Sequence, residues 1–202
     1  MIKAIVFDFG GVLLHGSIYD VWGRFFDKIG VDPKSVEHLK RKYSSDLSEG
    51  KLDLNKYFGM IKKETSNPLN IKAIRGIWEK EFLKETSVNT RLLVFVKKLR
   101  KKYRVAAISN VNNIEVKLNN KNGFYSNFNP LIFSCKVGVK KPDKDIFLLA
   151  LKKLSLPASE CVFIDDLREH FDTAKALGFK TILFKNNRKL ISDLKVLGVA
   201  LK

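Results

Sequence analysis

Apolar residues along the chain fall into two kinds of run. Five short stretches, Ile2 to Phe9, Arg104 to Ser109, Pro130 to Ser134, Glu160 to Ile164 and Lys180 to Phe184, are rich in β-branched and aromatic residues and end at polar or glycine-bearing turns. Runs that are apolar on both faces predict strands buried within a sheet. Between the last four, apolar positions recur at helical spacing over Asn113 to Asn119, Asp143 to Lys153 and Leu167 to Leu177, the last closed by Gly178. Strand and helix alternate, which predicts a parallel sheet with right-handed crossovers, helices on both faces, and ligands at the carboxyl ends of the strands.

The first two predicted strands stand much farther apart than the later ones, and the interval from Ser17 to Val88 is helical in pattern. Val21, Trp22, Phe25, Phe26 and Ile29 share a stripe that stops at Gly30; Val36 to Tyr43, Leu54 to Ile61 and Ile71 to Phe82 follow, separated by the turn signals Asp32-Pro33, Glu49-Gly50 and Asn67-Pro68. Trp22, Phe25, Phe26, Trp78 and Phe82 fit the core of such a bundle better than a substrate platform. The pattern therefore predicts an α/β protein: a doubly wound, five-stranded parallel sheet built from residues 1–16 and 89–202, with a small α-helical cap inserted over residues 17–88. A helix from Thr90 to Lys102 returns the chain to the sheet. Asn119 to Asn129 reads as a polar loop, and Leu190 to Leu197 as a last helix against the sheet edge.

Composition narrows the class. With 202 residues, 45% hydrophobic and 29% charged, the chain is neither collagen-like nor disordered, and it can bury enough surface to fold without a disulfide or metal staple. Cys135, at the end of one predicted strand, and Cys161, at the start of another, read as small buried hydrophobes. The sequence shows no secretory leader and no apolar run approaching the ~18 residues of a membrane span; the expectation is a cytoplasmic protein without a membrane partner. Lys and Arg number 38 against 21 Asp and Glu, a formal charge of +17. Such a field attracts phosphate-bearing molecules. Because the lysines are spread along helices and no binding motif accompanies them, solvated helix faces are preferred, with nucleic-acid binding as the second reading.

The candidate chemistry lies at the strand ends. The first strand ends Phe7-Asp8-Phe9-Gly10-Gly11, the second Ile108-Ser109-Asn110, and the fourth Ile164-Asp165-Asp166, while Lys141 immediately precedes Pro142 ahead of a helix. A parallel sheet would gather three carboxylates, a hydroxyl and an ammonium in one crevice. Carboxylates so placed need a counter-charge, and oxygen-only ligands suit Mg²⁺ with a phosphate. Taken singly, Gly10-Gly11 is a tight turn, while Ser109, Asn110, Asp165 and Asp166 are helix caps. Their order at successive strand ends is what turn chemistry does not supply.

Ile5 to Leu14 (IVFDFGGVLL), Ile108-Ser109-Asn110, Gly138 to Phe147 (GVKKPDKDIF) and Val162 to Gly178 (VFIDDLREHFDTAKALG) resemble the four motifs of the haloacid dehalogenase-like hydrolase superfamily, and the resemblance spans nearly the whole chain. The inserted helices resemble its C1-type cap. Leu47 to Leu52 is similar to caps of bacterial sugar-phosphate phosphatases and of the amino-terminal domain of soluble epoxide hydrolase. The resemblance implies a Mg²⁺-dependent phosphatase of small phosphorylated metabolites that works through an aspartyl-phosphate on Asp8. It implies that Asp8, Asp165, Asp166 and the Gly10 carbonyl hold the metal, that Ser109 and Asn110 meet the phosphate, and that Lys141 offsets charge on both nucleophile and phosphate.

The chain departs from that pattern at Gly10, where family phosphatases carry a second aspartate as general acid and base. Loss of such a group costs about 10²–10⁴-fold in rate and weighs most on poor alkoxide leaving groups. His15, His170 or a cap residue could supply the proton. Three alternatives stay open: a metal-free 2-haloacid dehalogenase, a phosphonate-cleaving relative dependent on a cap lysine, and a non-catalytic binder of a phosphorylated ligand or nucleic acid.

Overall fold

A computed structural model of the chain describes residues 1–200. Its main sheet has five parallel strands in the order β5-β4-β1-β6-β7, comprising β1 (Ala4–Phe7), β4 (Arg104–Ser109), β5 (Leu131–Phe133), β6 (Cys161–Asp165) and β7 (Lys180–Leu183). These are the five expected strands: β4 has the expected bounds, β1, β5 and β7 are trimmed by one or two residues at their ends, and β6 starts one residue later and runs one further to take in Asp165.

The strands are apolar on both sides because both faces are covered. On one face Ile5, Phe7, Val105, Ala107, Val162 and Ile164 pack against α5 (Thr90–Leu99) and α10 (Asn187–Val196); on the other Val6, Ala106, Ile108, Ile132 and Phe163 pack against α8 (Lys144–Leu154) and α9 (Arg168–Ala176). The last helix thus covers a face of the sheet, with Leu190 and Leu194 buried. Cys135 is not a strand end: it lies in the short helix α7 (Ser134–Val137), and both cysteines are buried and free. α8 begins after its N-cap Asp143, one residue beyond Pro142, with the Asp143 side chain accepting a hydrogen bond from the Asp145 N–H at 2.9 Å.

The stretch expected to be a polar loop is the clearest departure. It contains a 3₁₀ segment, Lys121–Asn127, and buries Phe124, Tyr125 and Phe128 around Phe9, with ring centroids 5.0, 5.5 and 5.1 Å from it. The asparagines and glycine that flank the aromatics in sequence mask a buried nest that clamps Phe9, the residue next to Asp8.

The chain leaves and re-enters the core through two short antiparallel strands, β2 (Leu14–His15) and β3 (Ser87–Val88). Between them α1 (Ile18–Ile29), α2 (Glu37–Ser48), α3 (Leu54–Thr65) and α4 (Ile71–Glu85) enclose their own apolar cluster, in which Phe25, Phe58, Ile61, Ile74 and Trp78 are inaccessible to solvent. Trp22 is half-buried among the rings of Phe25, Tyr57 and Trp78. Three of the four helix starts are fixed locally: the Ser17, Asp53 and Asn70 side chains accept hydrogen bonds from N–H groups of the first turns of α1, α3 and α4. Ile114 of α6 (Asn113–Asn119), which follows β4, is buried in this same cluster.

Candidate active site

Strand order places the chemistry. β1 is central, paired with β4 through Phe7–Ala107 and with β6 through Phe7–Ile164, so the residue after Phe7 emerges between the ends of those two strands. That residue is Asp8, only 6% exposed, with Ser109 buried at the end of β4 on one side and Asp165, inaccessible, on the other. Lys141 reaches the gap from the loop before α8. Its Nζ lies 2.8 Å from Asp8 Oδ1 and 2.6 Å from Asp165 Oδ2, and the side chain is 1% exposed. Two carboxylates this close and this deep could not both remain ionised without the ammonium between them.

The environment perturbs each group. Burial raises the Asp8 carboxyl to about 6, helped by Asp165 and opposed by the Lys141 ammonium. Burial also opposes ionisation of Asp165, but Lys141 and His170 together hold its carboxyl below the ordinary value. Asp166 is raised, first by burial and then by Asp165. Burial alone would push the Lys141 ammonium down; Asp8 and Asp165 outweigh it and keep its affinity for the proton above normal.

The lysine is held by its backbone. The Asn110 amide accepts from the Lys141 N–H at 2.9 Å and donates to the Lys141 carbonyl at 2.8 Å. Both ends of that amide face the lysine backbone, so in this structure Asn110 positions Lys141. Lys140, on the same segment, makes no ion pair among the described residues.

Asp8, Asp165 and the exposed Asp166 each offer a carboxylate oxygen, all within 4.8 Å of one another. This all-oxygen, anionic donor set fits a Mg²⁺ ion. Gly11 explains how Asp166 fits: its φ is +68°, and a Cβ there would lie 2.1 Å from Asp166 Oδ2, so only glycine leaves room for the carboxylate. Gly10 differs. Nothing lies within 4 Å of where its Cβ would stand, and its φ is not left-handed.

Of the two histidines weighed for proton transfer, His15 is exposed in β2. His170 is 4% exposed and places Nδ1 3.0 Å from Asp165 Oδ2, so it acts on Asp165 and not toward open space above Asp8. Two residues that sequence reasoning passed over also enter the picture: Ser134, fully buried beside the loop after β4, and Glu115, whose N-cap partner Asn112 forms with it the Asn-x-x-Glu pattern of a capping box.

The haloacid dehalogenase-like hydrolase profile matches residues 2–178. The chain belongs to that family. Among this hydrolase's relatives, D-ribitol-5-phosphate phosphatase of Bacteroides thetaiotaomicron is 28% identical over 207 residues, covering 98% of each chain. A haloacid dehalogenase-like hydrolase from Porphyromonas gingivalis superposes with a TM-score of 0.84 at 28% identity, covering 99% of each chain. A magnesium complex of a family enzyme from B. thetaiotaomicron superposes with a TM-score of 0.77 at 25% identity, over 92% of this chain and 94% of the other. Among the described residues no helix is long and apolar enough to cross a membrane.

Proposed function

We propose that this hydrolase is a phosphatase of small phosphorylated metabolites, with residues 17–88 as the cap over a site centred on Asp8. One observation carries the reading: a buried lysine bridging the carboxylates at the ends of two adjacent strands, 2.8 and 2.6 Å away. The phosphatase relative of nearly equal length and the magnesium-bound neighbour support it.

Asp8, Asp165 and Asp166, with the Gly10 carbonyl, are the residues that would hold Mg²⁺, which when bound offsets the charge of carboxylates and phosphate. An Asp8 carboxylate oxygen attacks phosphorus, the bond from phosphorus to the leaving oxygen breaks, and the leaving group takes its proton from solvent because Gly10 has none to give. Water then cleaves the aspartyl-phosphate, releasing phosphate and restoring the carboxylate. Lys141 lowers the repulsion between the dianion and Asp8 throughout. Ser109, at the mouth of β4, would donate to a phosphoryl oxygen. Substrates whose leaving groups need no protonation, such as aryl and acyl phosphates, suit this arrangement best.

The test is release of phosphate from p-nitrophenyl phosphate and acetyl phosphate with Mg²⁺ by the wild type and by Asp8→Asn. Turnover abolished by the substitution is the expected result. A wild type that binds inorganic phosphate yet turns over neither compound would refute it in favour of a non-catalytic phosphate binder, the reading that Gly10 otherwise favours.

A further inference from the structure

We propose that the Ser134 hydroxyl is a positioning residue that ties the loop after β4 to the helical insertion, so that the seating of the insertion on the core sets the placement of Asn110 and, through it, Lys141. The inference deepens the phosphatase reading and rests on it for its catalytic consequence.

Ser134 is inaccessible to solvent at the start of α7. Its Oγ donates to the Ser48 carbonyl at 2.6 Å, on the last residue of α2, and accepts from the Val111 N–H at 3.0 Å. A hydroxyl has one hydrogen to give. With the insertion seated, that hydrogen goes to Ser48; if the insertion withdraws, the next acceptor is the Val111 carbonyl, 3.4 Å away. The same atom therefore reads the insertion on one side and the core loop on the other.

A second contact shows that this is a fitted seat. Gly50 has φ +72°, and a Cβ there would lie 2.2 Å from the Cys135 carbonyl oxygen. Ser134 and Cys135 thus receive Ser48 and Gly50 in adjacent contacts. Glu49 between them is held by Lys51 and Ser45, which with Lys140 keep its carboxyl below the ordinary value despite opposing burial. On the core side Val111 follows Asn110, whose amide clasps the Lys141 backbone, and Lys141 Nζ reaches Asp8. The links from Ser48 to Asp8 are contiguous hydrogen bonds and one peptide unit, and what remains to measure is their coupling.

Hydrogen exchange of the whole chain without metal, followed in peptides spanning 44–52 and 110–116, tests this on the wild type, Ser134→Ala, Gly50→Ala and the double variant. Each single variant is expected to speed exchange about tenfold in both segments while leaving β1 and β6 unchanged, since one buried hydrogen bond is worth about that factor. The double variant should exceed neither single, because both break one seat. A Gly50→Ala effect confined to 44–52, or additive effects, overturns the proposal; should Ser134→Ala not fold, Gly50→Ala decides alone. With p-nitrophenyl phosphate, Gly50→Ala should lower kcat about tenfold and weaken inhibition by inorganic phosphate. Exchange that couples in a chain without turnover would sink the phosphatase reading and leave the seat standing.

Discussion

Glu115 gives the most direct quantitative test of the structure. It lies in the first turn of α6, 8% exposed, where Oε2 accepts from the Asn112 N–H at 3.0 Å while the Asn112 side chain accepts from the Glu115 and Ile114 N–H groups. It makes no ion pair among the described residues; Tyr125 and Cys135 face it from the segments packed beneath. Burial therefore raises its carboxyl to about 7, against an ordinary 4.5, with the Asn112 N–H offsetting only part of the rise. Between those values the folded chain keeps a proton that the unfolded chain has lost. Stability consequently falls as pH rises through that window and levels off above about 7. At about 1.4 kcal/mol per pH unit, the gap between 4.5 and about 7 amounts to roughly 3 kcal/mol. Glu115→Gln keeps an acceptor for the Asn112 N–H and removes the titration. In urea unfolding with a chelator present, the stability of the glutamine variant relative to wild type should grow by roughly 3 kcal/mol from about pH 4 to about pH 8. Other buried carboxylates cancel in that difference. A gap between the two proteins that stays constant with pH would show that Glu115 is solvated or paired, and the buried, unpaired carboxyl at the start of α6 would be refuted.

Two further outcomes follow from the site. Because Gly10 has an ordinary φ and nothing within 4 Å of the point a Cβ would occupy, Gly10→Asp should fold normally and raise kcat for alkyl phosphates far more than for p-nitrophenyl phosphate, by at most about 10²–10⁴-fold; steady-state kinetics on both substrate types checks it, and equal gains or a loss would contradict the missing-acid explanation. Lys141→Ala leaves Asp8 and Asp165 facing each other without their ammonium, so it should lower stability by about 3 kcal/mol at alkaline pH. Added Mg²⁺ should raise the melting temperature of this variant more than that of wild type, as read by calorimetry.

The fold and the site were legible to different depths, for physical reasons that particular residues make plain. Buried parallel strands have to be apolar on both faces, so β1, β4 and β6 announced themselves, and Asp8, Ser109 and Asp165 were readable because a polar residue ending such a strand has few places to go except the crevice. Lys141 could be picked from the many lysines only by its place before Pro142; its burial, which is what makes it chemically different from the others, depends on carboxylates 133 and 24 residues away and has no local signature. Asn110 illustrates the limit more sharply. An amide offers a donor and an acceptor to whatever lies nearby, and the sequence does not reveal that both are taken by one lysine's backbone. The aromatic nest at Phe124, Tyr125 and Phe128 stayed hidden because its three rings, though at helical spacing, make too short a run to mark an element and stand among asparagines and a glycine that read as turn residues. Ser134 lacked a signal for the same reason as Asn110: its partners, Ser48 and Val111, are backbone groups, which every sequence supplies at every position. What a chain encodes through side-chain pattern can be read in one dimension, whereas what it encodes through a side chain meeting a distant backbone appears only once the fold has brought the two together.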